Sequence, residues 1–168
     1  MEIRSGSMDD FPAVMSLLDG AVAWLVANGR SEQWGTDPFT QRQPVIDMIT
    51  KMVEDGDLFL AEIDGEPVGA LVVNPVPMHY VAPIEEPELY IQLLVSSRRH
   101  KGQRIGSQLI EFAREEAARR GVSLLRVDCY AGPDEALVGY YESQGFVRSL
   151  LLELKSNDRV QVLEMRLD

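Results

Sequence analysis

Cysteine occurs once in these 168 residues, as Cys129, and histidine twice, as His79 and His100. A single cysteine excludes an internal disulfide and a thiolate metal cluster, and two histidines far apart in sequence argue against a metal site. Two phosphate-binding patterns are also missing: there is no G-x-G-x-x-G after an early strand and no G-x-x-x-x-G-K-[ST]. No apolar run approaches the roughly 20 residues that span a bilayer, and the N-terminus has no signal-peptide core. The expectation is a cytoplasmic chain with no membrane partner. Positive charge is scarce, with 16 Lys and Arg against 27 Asp and Glu, a formal net charge of −11. That balance argues against a nucleic-acid partner, because most of the surface would repel a phosphate backbone. Repeats, low-complexity tracts and linkers are absent too, so residues 1–168 are expected to form one domain, large enough for a real core.

The charge that is present is unevenly placed. Residues 96–126 hold eight Lys and Arg against three Asp and Glu, a local +5 that leaves −16 on the remainder. A basic segment on an acidic body suits a phosphate-bearing ligand in one place and a cationic one elsewhere. The basic segment contains SSRRHKGQRIG, which follows the apolar run Leu89 to Val95 and opens an amphipathic helix. From Gln103 onward Ile105, Leu109, Phe112, Ala113 and Ala117 fall at helical spacing, and Gly121 suits the C′ position. The first amides of a helix have no intrahelical acceptor and carry partial positive charge, so this order of strand, glycine-containing loop and helix is how a chain builds an anion site. By itself the loop is equally compatible with a solvated basic turn.

Element signals are clear along the rest of the chain. A short strand at Glu2 to Arg4 precedes a helix capped by Ser7 or Asp9, with Phe11, Val14, Leu18, Val22 and Leu25 on its apolar face and Asn28-Gly29 at its end. An irregular stretch, 30–43, leads to a helix from Pro44 to about Glu54. Leu58 to Ile63 and Pro67 to Val73 read as strands joined at Asp64-Gly65, a strong hairpin signal. The proline-rich stretch Asn74 to Pro87 reads as one long loop. Leu124 to Tyr130 alternates as a strand, Asp134 starts a helix through Ser143, and Phe146 to Leu154 with Val160 to Leu167 supply the last two strands. The sum is an α/β (α+β) fold with a mixed, mostly antiparallel sheet of about seven strands and about four helices.

Two segments within that succession resemble the GNAT superfamily of acyl-CoA-dependent N-acyltransferases. KGQRIG, Lys101 to Gly106, stands where the family has Q/R-x-x-G-x-G/A after its fourth strand. DEALVGYYESQGF, Asp134 to Phe146, is similar to the family's Asn-x-x-Ala-x-x-x-Tyr-x-x-x-Gly-Phe, with Tyr141, Gly145 and Phe146 at the family's spacing. Three departures are visible: Arg104 replaces the first signature glycine, Lys101 replaces Gln or Arg in a loop one residue longer than usual, and Asp134 replaces Asn.

The resemblance implies an enzyme that transfers an acyl group, most often acetyl from acetyl-CoA, to a primary amine by direct attack. It implies a cofactor-binding set of Leu94, Val95, Lys101, Gly102, Gln103, Arg104, Ile105, Gly106, Ser107, Asp134 and Tyr141. It also implies that a backbone N–H of Leu94 or Val95 stabilises the oxyanion and that Tyr141 protonates the departing thiolate, a phenol being protonated at neutral pH. The alternative for Tyr141 is a packed aromatic on a helix beside Tyr140. Glu88 is the carboxylate directly at the fourth strand and the candidate base, with Tyr90 and Gln92 on its face to order a water chain; the alternative is a solvated acidic loop of Glu85, Glu86 and Glu88. Trp34 and Phe39 are candidates for the wall of the acceptor pocket, or else loop anchors. Cys129, in alternation with Leu125 and Val127, reads as a buried small residue. The acceptor is expected to be a cationic small molecule or peptide amine, and a homodimer is compatible with this reading. The alternative function is a non-catalytic acyl-CoA or nucleotide-binding module of the same fold.

Overall fold

A computed structural model describes residues 1–156 and 158–168. The chain packs as two compact units: Met1–Val73 with Leu93–Leu109, and Asn74–Gln92 with Ile110–Asp168.

In the first unit, strand β1 (Glu2–Ser5) leads to a capping box at Ser7, whose side chain accepts from Asp9 N–H while Asp10 accepts from Ser7 N–H. A 3₁₀ turn then runs into helix α1 (Phe11–Ala27), closed by Asn28 and by Gly29 at φ +70°. The 30–43 stretch is irregular apart from a 3₁₀ turn at Phe39–Gln41, and helix α2 spans Gln43–Asp55 with Pro44 in its first turn. Strands β2 (Asp57–Ile63) and β3 (Glu66–Asn74) pair antiparallel through a turn in which Asp64 and Gly65 both have positive φ, 51° and 78°. That is the conformation a two-residue type I′ hairpin requires. Val14, Leu18, Ile49, Leu60 and Leu71 are fully buried, and each contributes roughly 1.5–3 kcal/mol by leaving water.

One expectation about α1 is corrected. Together with the turn before it, Met8–Ala27 is a 20-residue helical stretch of mean hydropathy 1.4, long and apolar enough by length and composition to cross a membrane. Gly20, Asp19 and Ser16 interrupt its apolar sequence, so no continuous apolar run marks it. Val14, Met15, Leu17, Leu18, Ala21, Val22 and Leu25 are buried within the protein.

Strand β4 (Leu89–Ser96) is shared between the units, as is helix α3 (Ile105–Arg119). In the second unit the first part of β4 pairs parallel with β5 (Leu124–Tyr130) over Leu89↔Leu125, Tyr90↔Arg126 and Ile91↔Val127. Parallel neighbours need a crossover, and α3 is that crossover. Strand β7 (Arg159–Arg166) lies antiparallel to β5, with Asp128 opposite Val162, and β6 (Val147–Glu153) pairs with β7 across a register shift between Arg148 and Leu151. Helix α4 covers Ala136–Ser143. The strand order is β1-β2-β3-β4-β5-β7-β6. Among the described residues, seven strands and four α-helices make the mixed α/β fold expected from the element signals.

Two helices start later than their sequence signals imply. Helix α3 begins at Ile105 and not Gln103, because Gly102 and Arg104 take φ of +89° and +55°; helix α4 begins at Ala136 and not Asp134, because Glu135 sits at φ +50°. Left-handed residues cannot continue a right-handed helix.

Candidate active site

The 97–107 loop is built by short-range bonds within the first unit. Ser97 N–H donates to Val68 O at 2.7 Å, and the Ser97 hydroxyl accepts from Arg99 N–H at 3.3 Å. Gln103 N–H donates to His100 O, and the Gln108 side chain donates to Gln103 O at 2.9 Å. Gln108 N–H donates to Arg104 O, so Arg104 is the last residue before the helix and the amides of Ile105, Gly106 and Ser107 form its first turn. Lys101, Gly102, Gln103 and Arg104 are exposed; Gly106 and Ser107 are half-buried. A left-handed arginine stands where a glycine was expected, and the backbone still turns there. The guanidinium of Arg98 lies 4.2 Å from the ring centroid of Trp24 on α1, a cation–π contact that ties the loop to that helix.

Close approach of α3 to the sheet depends on Gly69 in β3. A Cβ there would stand 2.8 Å from Ile105 Cγ2 and 2.9 Å from Leu109 Cδ1. The same position lies 3.3 Å from Val95 O, so the peptide groups of Val95 face β3, as does the Ser97 N–H bound to Val68. Peptide groups alternate in direction along a strand. The N–H of Leu94 therefore points to the opposite edge of β4, away from β3.

The acceptor-wall candidates also belong to the first unit. Trp34 and Phe39 stack at 5.3 Å between centroids; Phe39 is buried and Trp34 half-buried. Arg42 lies 5.2 Å over the Phe39 ring and donates to Trp34 O at 2.7 Å, while Asp19 accepts from both the N–H and the hydroxyl of Thr40. The segment is thus anchored despite its irregular backbone, and Trp34 is the member of the pair that retains exposed surface.

In the second unit, Tyr141 is buried on α4, edge-on to Phe146 at 5.7 Å and to Tyr140 at 5.4 Å. Burial, reinforced by the neighbouring Cys129, Tyr140 and Asp128, pushes its phenol well above the usual tyrosine range, so the proton stays on. Cys129 is buried, its thiol pushed up to about 12 chiefly by burial, as befits an inert packed thiol. Asp134 makes an Asx turn just before α4, its Oδ1 accepting from Ala136 N–H at 3.1 Å, while Glu135 is the N-cap.

Glu88 departs from its expected role. It is 4 % exposed, and Arg126 clamps both its oxygens, Nε to Oε1 at 2.6 Å and Nη2 to Oε2 at 2.7 Å. Both carboxylate oxygens are taken up by the guanidinium, so neither is presented to an acceptor. Neither a base facing water nor a solvated acidic loop describes it; the partner is Arg126 on β5, 38 residues away. Tyr90 is corrected likewise. It is fully buried beneath Arg126, and its hydroxyl donates to Asp128 Oδ2 at 2.5 Å, so it does not line an acceptor pocket directly. The Gln92 side chain donates to Val76 O at 3.0 Å.

Asp128 and Tyr80 were missed in the sequence. Asp128, partly buried on β5, accepts from Tyr90 through Oδ2 and from Tyr80 through Oδ1, the latter at 2.7 Å. Burial raises its carboxyl above the usual range against the lowering effect of those two bonds and of Arg126. The available signal was the pair Arg126 and Asp128, two charges on one face of an otherwise apolar strand. Among the described residues, no group of three or more His, Cys, Asp and Glu is placed to hold a metal ion.

A family model described as the acetyltransferase (GNAT) family matches residues 20–146. The chain belongs to that family. A protein of Bacillus subtilis (strain 168) named as an uncharacterized N-acetyltransferase, YesJ, is 27 % identical over 143 residues, 82 % of this chain and 77 % of that one. A GNAT-family acetyltransferase of Listeria monocytogenes shares the fold with a TM-score of 0.73 at 20 % identity, covering 99 % of this chain and 94 % of that one. A putative acetyltransferase of Salmonella typhimurium, yncA, solved with acetyl-CoA, has a TM-score of 0.64 at 14 % identity, with coverage of 99 % and 94 %. As a family member the GNAT chain described here is an N-acetyltransferase.

Proposed function

We propose that this GNAT protein is one catalytic domain over residues 1–168 that transfers acetyl from acetyl-CoA to a cationic primary amine. The observation that carries the reading is the 97–107 loop. Its backbone turns through two left-handed residues directly into the first turn of a 15-residue helix, amid Arg98, Arg99, Lys101 and Arg104. First-turn amides and cationic side chains suit a pyrophosphate, and Gly102, with nothing within 4 Å of a Cβ position, leaves room for one.

Acetyl-CoA supplies the activated thioester, and the chain's residues handle charge and protons. The Leu94 N–H, directed away from β3, is oriented as a donor to the developing oxyanion. The Tyr141 phenol, kept protonated by burial, gives its proton to the departing thiolate. Trp34 supplies an exposed aromatic face beside Phe39 for the carbon skeleton of the acceptor.

Mass spectrometry of a panel of amines incubated with the protein and acetyl-CoA tests the activity, the expected product being a gain of one acetyl group on a cationic amine. Calorimetry of Gly106→Val tests the loop: a branched side chain among the first-turn amides should weaken acetyl-CoA binding more than tenfold, or more than about 1.4 kcal/mol. Unchanged affinity in the folded variant would remove the loop from the site.

A further inference from the structure

Several carboxylates of the second unit are paired with arginine. Glu88 is clamped by Arg126; Glu135 and Glu142 bond Arg148; Glu86 bonds Arg166. Each has a guanidinium in direct contact that offsets its charge. Asp128 instead receives its two bonds from the neutral hydroxyls of Tyr80 and Tyr90. Hydroxyls orient a carboxylate without cancelling its charge, and each carboxylate oxygen keeps a further lone pair. Asp128 is half-buried, whereas Tyr90 behind it is fully buried. The network extends one step further back, because Arg126, the clamp on Glu88, lies 5.4 Å over the Tyr90 ring.

We propose that Asp128, oriented by Tyr80 and Tyr90, binds the ammonium group of the acceptor and takes its proton. The inference rests on the acetyl-transfer reading and names a base other than Glu88, whose two oxygens are taken by Arg126. An N–H bond of the ammonium breaks and the proton passes to a carboxylate oxygen of Asp128; the freed nitrogen lone pair forms the C–N bond at the thioester carbonyl. As the C–S bond breaks, Tyr141 protonates the sulfur. The second proton leaving nitrogen restores the Tyr141 phenol, and the one on Asp128 passes to solvent. Asp128 and Tyr141 belong to the same unit and lie within electrostatic reach of each other, the carboxylate charge being one of the influences that hold the phenol protonated.

The groups facing Asp128 are Tyr80 from the 75–88 loop, Tyr90 from β4, Arg126 and Cys129 beside it on β5, and Tyr141 from α4. Glu88 and Glu164 act in turn on Arg126. Burial moves the three phenols and the thiol upward, out of the acidic range, so an acidic limb in the rate profile belongs to a carboxylate.

The test measures CoA release from acetyl-CoA with spermidine, an amino-acid amide and an alanyl peptide, for wild type, Asp128→Asn and Tyr80→Phe. The expected result is a fall in kcat/KM for the amine of at least 100-fold in Asp128→Asn, with acetyl-CoA affinity within twofold. In Tyr80→Phe the acidic limb of kcat/KM should move to higher pH, because a bond that favours the carboxylate has been removed. Purely structural roles would leave that limb in place. A folded Asp128→Asn that keeps kcat/KM within threefold, or a limb unmoved in Tyr80→Phe, overturns the assignment while leaving acetyl transfer intact. If Asp128→Asn does not fold, Tyr80→Phe decides. Wild type that acetylates none of the amines overturns the acetyl-transfer reading and the Asp128 assignment with it.

Discussion

The 97–107 loop and the Tyr80–Asp128–Tyr90 cluster handle charge by opposite means. The loop offers cationic side chains around backbone amides, and its working geometry is a matter of φ angles: +89° at Gly102, +55° at Arg104, then a helix. The cluster is made of side chains, an acid from β5, a phenol from β4 and another from a loop 48 residues before the acid. A backbone site tolerates substitution, which is why arginine can occupy the position of the first signature glycine while the turn survives. A side-chain cluster has no such tolerance, since each atom comes from one residue.

That contrast is tested most severely at Tyr141. Tyr141→Phe preserves the ring and its edge contacts but removes the proton, so kcat should fall about 10²- to 10⁴-fold with little change in acetyl-CoA affinity; Tyr140→Phe is the control. Turnover near wild type, measured where chemistry limits the rate, would mean the proton comes from another group and would remove the main catalytic assignment in the second unit.

Next in size is the buried pair behind the cluster. Glu88→Ala strands the Arg126 guanidinium in the core and should cost about 3–5 kcal/mol in urea unfolding, whereas replacing both partners by apolar residues should recover much of it. The double variant is also a check on the corrected role of Glu88: if it folds but loses all turnover with acetyl-CoA binding intact, Glu88 is more than a structural anion.

Smaller still is the effect expected at Gly69, where a new side chain meets Ile105 and Leu109 at the start of α3. Gly69→Val should lower stability by about 1–3 kcal/mol and weaken acetyl-CoA binding, because the helix start must move off β3. Loss of stability with full affinity would show that the loop holds its conformation independently of the β3 contact.

Salt gives the mildest perturbation. Raising ionic strength from about 0.05 to 0.5 M shortens the screening length severalfold and should raise the KM of a cationic amine a few-fold, since the chain outside residues 96–126 carries −16. A KM independent of salt would mean that contact and not long-range attraction recruits the acceptor.

Element order was legible because its signals are local. Asp64-Gly65 turns with positive φ at both residues, Asn28-Gly29 ends α1, and Leu124 to Tyr130 is a strand to the residue. Legible too was the turn of KGQRIG into a helix, since a glycine-containing basic loop before an amphipathic run is read within a dozen residues. Where local reading failed, a left-handed residue or a distant partner was responsible: Glu135 delays α4, and buried apolar positions of α1 are separated by the polar residues that interrupt its run.

Sequence by itself determined the alternation of elements, the basic loop and the Tyr141 to Phe146 spacing, because propensity, capping and periodicity act over three to four residues. Only the tertiary structure decided which acid meets which partner. Parallel pairing of β4 with β5 sets Tyr90 opposite Arg126. In the folded unit Arg126 then reaches back to Glu88, and the Tyr90 hydroxyl reaches forward to Asp128. Whether a carboxylate is clamped by a guanidinium or held by hydroxyls depends on its neighbours in space, and strand pairing chooses those neighbours from positions almost 40 residues away.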